Sequence, residues 1–202
     1  MVNNGILSWG DILEQNNNGD AKDIPILRLA SGKNYRIRPV SVPCKVIRLF
    51  RDVAGQTFSA ISDGQSQVHL PDDVRIRNRY VVFVLDREDN KVKILDGTET
   101  MFRGFASHAK ATGRTPHDPQ RGSDYSIKVT GVERDTRYSV TPVEVTPLTS
   151  AEMATVNQLD AAEYLLKMYK PHTPEQIVEK LRLVSITTPE TDPDTDDDPF
   201  GH

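Results

Sequence analysis

The chain has 202 residues, of which 37% are hydrophobic and 27% charged, with a formal net charge of −4 and one cysteine. The single cysteine excludes an intrachain disulfide, and no apolar run approaches the ~18 residues of a membrane-spanning helix. The net charge averages two regions of opposite sign. Residues 28–137 hold 20 basic and 13 acidic side chains, whereas the residues from 189 onward hold six acids and no Lys or Arg. Composition thus predicts a soluble protein of a reducing cytoplasm, with a basic body and an acidic segment.

Residues 1–23 are predicted to form an N-terminal arm outside the core. Ser8 can cap a short helix that includes Trp9 and Asp11. The run of asparagines before Gly19 ends this helix and is typical of a flexible linker.

Residues 24–148 are predicted to form a β-rich core. Apolar and polar residues alternate over 34–39, and further strands are expected over 44–50, 56–61, 79–85 and 91–95. The segment 79–85 is apolar on both faces, which predicts a central strand. Helical periodicity follows over 96–112, and Gly113 ends that helix. Strands over 125–130 and 138–143 are expected to form a second hairpin.

The chain after Thr149 is predicted to be helical over residues 149–186. Helices are expected over 151–159 and 161–169, and a third begins after Thr173 with Pro174 at its first position. Residues 187–202 are predicted to be an acidic flexible tail. Short strands, one helix between strand pairs and no βαβ alternation predict a mainly β fold with accessory helices, built on a small Greek-key barrel.

Basic residues alternate with apolar ones along the predicted strands, so each set shares one face of its strand. Such sets in register would form a positive stripe that follows phosphates. An ordinary solvated face is the alternative, but the segregation of acids to the end of the chain favours the stripe. The sets are Arg36 with Arg38, Arg75 with Arg77 and Arg79, and Lys91 with Lys93.

Four aromatic residues near these cations are candidates for stacking on bases, an interaction worth ~1–3 kcal/mol per base. They are Phe50, Phe58, Tyr80 and Tyr138, whereas Phe83, Phe102 and Phe105 are expected in the core. The full set of candidate DNA-contacting residues is Arg36, Arg38, Lys45, Arg48, Phe50, Phe58, Arg75, Arg77, Arg79, Tyr80, Lys91, Lys93, Arg137 and Tyr138.

Motifs for catalysis or metal binding are weak in this sequence. Asp86, Glu88 and Asp89 could hold a cation, but a hairpin turn explains them more simply. Cys44 and the histidines lack paired ligand spacing, and neither a phosphate-binding glycine loop nor a serine elbow occurs. We therefore expect no enzymatic activity, no catalytic residue, no metal and no cofactor.

Five segments resemble the single-stranded DNA-binding proteins of tailed bacteriophages, distant kin of the T-even helix-destabilising protein. The segment Asp-Thr-Arg-Tyr-x-Val-Thr-Pro is the most specific, and the resemblance extends over about residues 28–147. The family implies an OB-fold, cooperative binding to DNA strands during replication, and an acidic tail that recruits partners. The matching segments are residues 33–40, 79–89, 91–95, 124–129 and 135–142.

The sequence departs from the T-even protein in one respect. That protein binds zinc through Cys and His, and between Val40 and Arg79 this sequence offers only Cys44 and His69, too few to replace that ligand set, so the cleft is expected to form without metal. The end of the chain is similar to the acidic tails of bacterial single-strand binders, which end in Pro-Phe. Its expected partner-binding residues are Asp196, Asp197, Asp198, Pro199 and Phe200.

Residues and resemblance together predict a sequence-nonspecific single-stranded DNA-binding protein without membrane association. It would coat and protect strands during phage DNA replication, recombination or repair, in the cytoplasm of the infected bacterial host. Replication or recombination proteins would bind the tail, and copies could associate along the DNA. The alternative is a non-enzymatic accessory or virion protein that binds duplex DNA or RNA, and a nuclease is disfavoured by the missing catalytic motifs.

Overall fold

Seven antiparallel strands form one sheet in the computed structural model, which describes residues 24–64, 69–132 and 135–183. Four helices accompany this sheet, which confirms the predicted mainly β fold with accessory helices. The predicted arm and acidic tail lie outside the described residues. The strands are β1 Asn34–Pro39, β2 Cys44–Val53, β3 Gln56–Ser62, β4 Val74–Asp86, β5 Lys91–Thr98, β6 Ser123–Thr130 and β7 Arg137–Val145. The helices are α1 Glu99–Thr112, α2 Ser150–Asn157, α3 Ala161–Met168 and α4 Pro174–Lys180.

The long strand β4 organises the sheet, because three strands pair with it. Its first part, 74–81, pairs with β2, and its last residues, 84–86, pair with β1 along the same edge. The opposite edge pairs with β5 over 79–86, so this segment is central, as predicted. The strand order is β3-β2-β4-β1-β6-β7 with β5 beside β4. No pairing among the described strands joins β3 to β7, so a closed barrel is not confirmed.

Tight turns set the register of the two hairpins nearest β4. Ala54 and Gly55 connect β2 to β3 with φ of 49° and 79°, the pair of positive values that a type I′ turn requires. Between β4 and β5, Asp86 Oδ1 accepts from the backbone N–H of Glu88 at 3.0 Å, and Asp89 Oδ1 accepts from that of Lys91 at 3.1 Å. These acids therefore shape a turn, and no group of three potential metal ligands occurs within the described ranges.

Both faces of β4 are buried over residues 81–86, because helices cover each of them there. Phe83 and its odd-numbered neighbours pack with residues of α3, whereas Val82 and Val84 pack on the other face against α1. The buried residues of α1 are Met101, Phe102 and Phe105, and the two phenylalanines lie in the core as predicted. The helix begins at Glu99 rather than at the predicted residue 96, because 96–98 extend β5 and pair with 79–81. Gly113 ends α1 with φ of 65°, as predicted.

The C-terminal helices close the fold against β2, β3 and β4. Capping boxes begin α2 at Thr149 with Glu152, and α4 at Thr173 with Gln176. Just before α4, the backbone N–H of His172 donates to the Ile61 carbonyl at 2.9 Å. The Ile61 N–H donates in turn to His172 Nδ1 at 2.9 Å, so the loop caps part of the β3 edge. None of the described helices is long and apolar enough to cross a membrane.

Candidate nucleic-acid interface

Four arginines and one phenylalanine share a face where β2 and β4 pair. Arg48 lies directly opposite Arg77, Phe50 lies opposite Arg75, and Arg79 follows two residues after Arg77 on the same face. We term this set the arginine face: Arg48, Phe50, Arg75, Arg77 and Arg79. Like charges directly opposite each other destabilise a sheet. An anion bound between or above Arg48 and Arg77 would therefore reduce their repulsion.

The arginine face continues a buried face of the sheet beyond the helices that cover it. Closer to the core, Val46 and Val81 lie on this same face under residues of α3. Tyr169 caps the end of α3, and its ring centroid lies 5.7 Å from Cζ of Arg48. The helix α3 and its cap thus cover this face only as far as the first arginines. Beyond them, Arg75 and Arg77 are exposed and Phe50 is half-buried.

Two carboxylates neutralise part of the arginine face. Asp96 accepts from Arg79 Nε at 2.8 Å and from Arg48 Nη2 at 3.2 Å, and Asp52 pairs with Arg75 at 2.6 Å. Arg77 has no carboxylate partner in the part of the chain that the structure describes, and its Cζ lies 5.5 Å from the centroid of the Phe50 ring. Four guanidinium groups thus share two acids, and Arg77, which contacts neither acid, lies beside an aromatic ring.

An open cleft of about 490 Å³ lies on the arginine face. Its lining combines cations with a flat apolar ring, with polar side chains and, at the start of α1, with the Glu99 carboxylate, which pairs with Arg103 at 2.9 Å. Cations that follow a backbone and an aromatic ring that accepts a base are the two components of single-strand binding surfaces. The lining residues are Arg48, Phe50, Arg77, Asn78, Arg79, Thr98, Glu99 and Thr100.

The other three predicted stacking residues lie away from the arginine face. Tyr80 points to the opposite face of β4, where its ring lies 5.6 Å from that of Phe102, and burial raises its pKa. Phe58 is also on the opposite face of its strand pair, with Cζ of Arg182 at 4.3 Å from its ring centroid. Tyr138 packs against the core beside α1. Phe50 alone of the four lies with the clustered arginines.

Arg38, which the sequence places among the candidate DNA contacts, is buried. Its side chain is 0% exposed and donates to the carbonyls of Pro116 at 3.3 Å and Asp118 at 2.5 Å. Burial lowers the pKa of this guanidinium, as expected for a cation held without direct contact to a carboxylate. The loop after α1 thus closes over a residue that strand periodicity places on a solvated face.

The remaining predicted cations are dispersed over the molecule. Arg36 pairs with Asp124 and Glu144, whose hydrogen bonds raise its pKa. Lys93 is held by Asp86 at 2.7 Å and by Asp89 at 2.9 Å, and although burial lowers its pKa, these two bonds outweigh that effect. The structure thus does not bring the predicted stripe together over three strands. Lys45 lies on the same face as Tyr80, opposite to the arginine face. Lys91 lies at the end of β5 that is distant from Arg79, and Arg137 lies on the edge strand β7.

Comparison with known families shows that no family model matches the chain. The chain is similar to a phage protein. Over 100 residues it is 29% identical to the "Probable ssDNA-binding protein" of Escherichia phage T5. The aligned region covers 49% of this chain and 31% of the relative, so the match spans about a third of that protein's length. The likeness agrees with the predicted class of phage protein and leaves half of the chain unmatched.

Sequence patterns missed two residues that organise the arginine face. Asp96 was expected to begin a helix, yet it lies in β5 and binds two arginines. Tyr169 was expected only as a helical residue, yet its hydroxyl donates to Asp96 Oδ2 at 3.1 Å. The alternation of residues 91–95 continues to Asp96 and could have predicted that Asp96 lies in the strand. No local pattern predicts its contact with Tyr169, which is 73 positions away in the chain.

Proposed function

We propose that this protein binds single-stranded DNA without sequence preference, and that the arginine face is its binding surface. The observation that carries the proposal is the exposed Arg77, which lacks a carboxylate partner among the described residues, lies opposite Arg48 and has its Cζ 5.5 Å from the centroid of the Phe50 ring. The name of the similar phage T5 protein supports the same class of ligand. By this proposal the protein coats and protects exposed strands during phage DNA replication, recombination or repair in the host cytoplasm, without catalysing a reaction.

The proposed mechanism combines electrostatics with stacking. Phosphates that reach the guanidinium groups release condensed counterions, which makes the affinity salt-dependent and indifferent to sequence. The Phe50 ring offers its face to an unpaired base, and every base has a face that can stack. Bases of a duplex are already stacked on both sides, so the ring favours a single strand.

An OB-type fold belongs to the same proposal. Its support is the long strand β4, which pairs with β1, β2 and β5. A strand that passes from one set of partners to another is how a small β-structure turns a corner. The described strands form an open sheet, so the relation to a closed barrel stays a proposal.

A competition experiment tests the proposed ligand. Labelled oligothymidine of about 20 nucleotides is bound first, and unlabelled single strand, duplex or RNA of equal length is then added at about 50 mM salt. We expect the single strand to displace the label at a concentration well below that of the duplex, because a duplex offers phosphates but no free base. Equal competition by duplex would contradict the proposal, and preferential competition by RNA would favour the RNA-binding alternative.

We also propose a role for the acidic residues 187–202, based on their sequence alone. Six acids that the chain tethers to a basic body would compete with DNA for its basic face, whereas Phe200 would offer an apolar anchor to a replication or recombination protein. Association between copies along the DNA is a further proposal, to be tested by cooperativity in the binding isotherm.

Deletion of residues 189–202 is expected to raise the affinity for single strands, most strongly at low salt, where charges are least screened. Phe200→Ala keeps all six acids, so it is expected to leave DNA affinity unchanged within about twofold while it weakens binding of the partner protein. The measurements are DNA titrations at two salt concentrations and a pull-down from infected-cell extract. If the deletion changes neither result, the acidic segment serves only solubility.

A further inference from the structure

Tyr169 connects the C-terminal helices to the arginine face through one carboxylate. Its side chain is buried at the end of α3, and its hydroxyl donates to Asp96 Oδ2 at 3.1 Å. The same oxygen accepts from Arg48 Nη2 at 3.2 Å. Burial raises the pKa of Tyr169 well above its ordinary value, and the neighbouring carboxylate acts in the same direction, so the hydroxyl keeps its proton and remains a donor.

Asp96 holds both arginines but leaves donors free. Arg79 uses Nε toward the carboxylate at 2.8 Å and Nη2 toward the Asp96 backbone carbonyl at 2.9 Å. Arg48 uses Nη2. A guanidinium group has five N–H donors, so each arginine keeps donors that a phosphate can accept without displacing Asp96. The carboxylate therefore fixes two cations in place rather than consuming them.

We infer that Tyr169 is a positioning residue for DNA binding: it orients Asp96, which in turn holds Arg48 and Arg79 in the cleft. This inference rests on the proposed function. Two effects of the hydroxyl act in the same direction. It restricts the carboxylate, so that less conformational freedom is lost when phosphate binds. It also draws part of the carboxylate charge away from the arginines, which leaves them more attractive to phosphate.

The test compares Tyr169, which caps α3, with Tyr164, which lies within that helix. Tyr169→Phe removes the hydroxyl and keeps the buried ring. Tyr164→Phe is the matched control, because its hydroxyl accepts from the Ile24 N–H at 2.8 Å and donates to the Ile24 carbonyl at 3.0 Å, without contact to the arginine face. We expect Tyr169→Phe to lower the affinity for oligothymidine about three- to tenfold, the range of one net hydrogen bond. Tyr164→Phe should stay within about twofold of the unmodified protein, although it too loses hydrogen bonds.

Melting curves of both variants show whether lost stability explains a lower DNA affinity of Tyr169→Phe. If Tyr169 has a purely structural role, the two variants, once folded, should bind oligothymidine with equal affinity. If the unmodified protein binds single strands and the two variants bind alike, the inference is overturned while the proposed function stands. If the unmodified protein does not bind, the proposed function is wrong and this inference with it.

A second measurement needs no variant, so it tests the positioning role of Tyr169 even if Tyr169→Phe does not fold. Coupling between two sites is reciprocal, so a face that depends on α3 must stabilise α3 when DNA binds. We expect oligothymidine to slow amide hydrogen exchange in residues 161–169. Unchanged exchange there, at saturating DNA and with slower exchange in β2 and β4, would contradict the inference.

Discussion

Replacement of Phe50 by alanine is expected to weaken single-strand binding by about 1–3 kcal/mol and to leave the melting temperature nearly unchanged. The ring is half-buried on the arginine face and lies against Arg77, where a base can stack on it. Because Phe50 does not pack with the buried hydrophobic residues of the core, its truncation leaves no large cavity. Anisotropy titrations with oligothymidine, with a thermal melt of the same sample, measure both quantities.

Tyr80→Ala is the matched comparison, since Tyr80 lies on the opposite face of β4. Its ring packs against Phe102 and the core beneath α1, so its removal is expected to cost about 2–4 kcal/mol of unfolding free energy. The folded fraction should bind DNA normally. If Phe50→Ala instead melts far below the unmodified protein and binds with normal affinity, the base-stacking role of Phe50 is wrong.

Two arginine replacements should also have opposite consequences. Arg38→Ala is expected to lower the free energy of unfolding by about 3 kcal/mol, because it opens a cavity and leaves the carbonyls of Pro116 and Asp118 without their donor. The salt dependence of DNA binding should not change. Chemical denaturation and salt titrations of the variant measure these effects.

Arg77→Ala is the counterpart to Arg38→Ala. Arg77 is exposed and lacks a carboxylate partner within the described residues, so its loss should change stability by less than about 0.5 kcal/mol. Binding should weaken, and the slope of log affinity against log salt should become shallower by about 0.7, the share of one phosphate on a single strand. A shallower slope for Arg38→Ala together with an unchanged slope for Arg77→Ala would mean that the phosphates bind elsewhere.

Alternation in the sequence predicts which residues share a face of one strand, and most of the fold follows from it. It correctly places Arg75, Arg77 and Arg79 together and makes the apolar segment 79–85 central. It does not determine which strands become neighbours. The pairing of Arg48 with Arg77 comes from the β2–β4 register, which joins strands separated in the chain by β3 and therefore depends on packing rather than on a tight turn.

Sequence periodicity also does not predict which face of a strand another segment of the chain will cover. Arg36 and Arg38 alternate as a solvated pair would, yet the loop around Pro116 and Asp118 closes over Arg38 alone. Likewise, the contact of Tyr169 with Asp96 needs the C-terminal helices to pack back on β5. Such contacts join segments distant in sequence, so local propensity carries no signal for them.

The central claim is that the arginine face binds the phosphates of a single strand, and its most direct test is the salt dependence of oligothymidine binding. Each phosphate neutralised on a single strand adds about −0.7 to the slope of log affinity against log salt. The four arginines of the face therefore give an expected slope of about −3 for the unmodified protein. A slope near zero, or a slope that is unchanged when Arg77 and Arg75 are both replaced by alanine, would contradict this account.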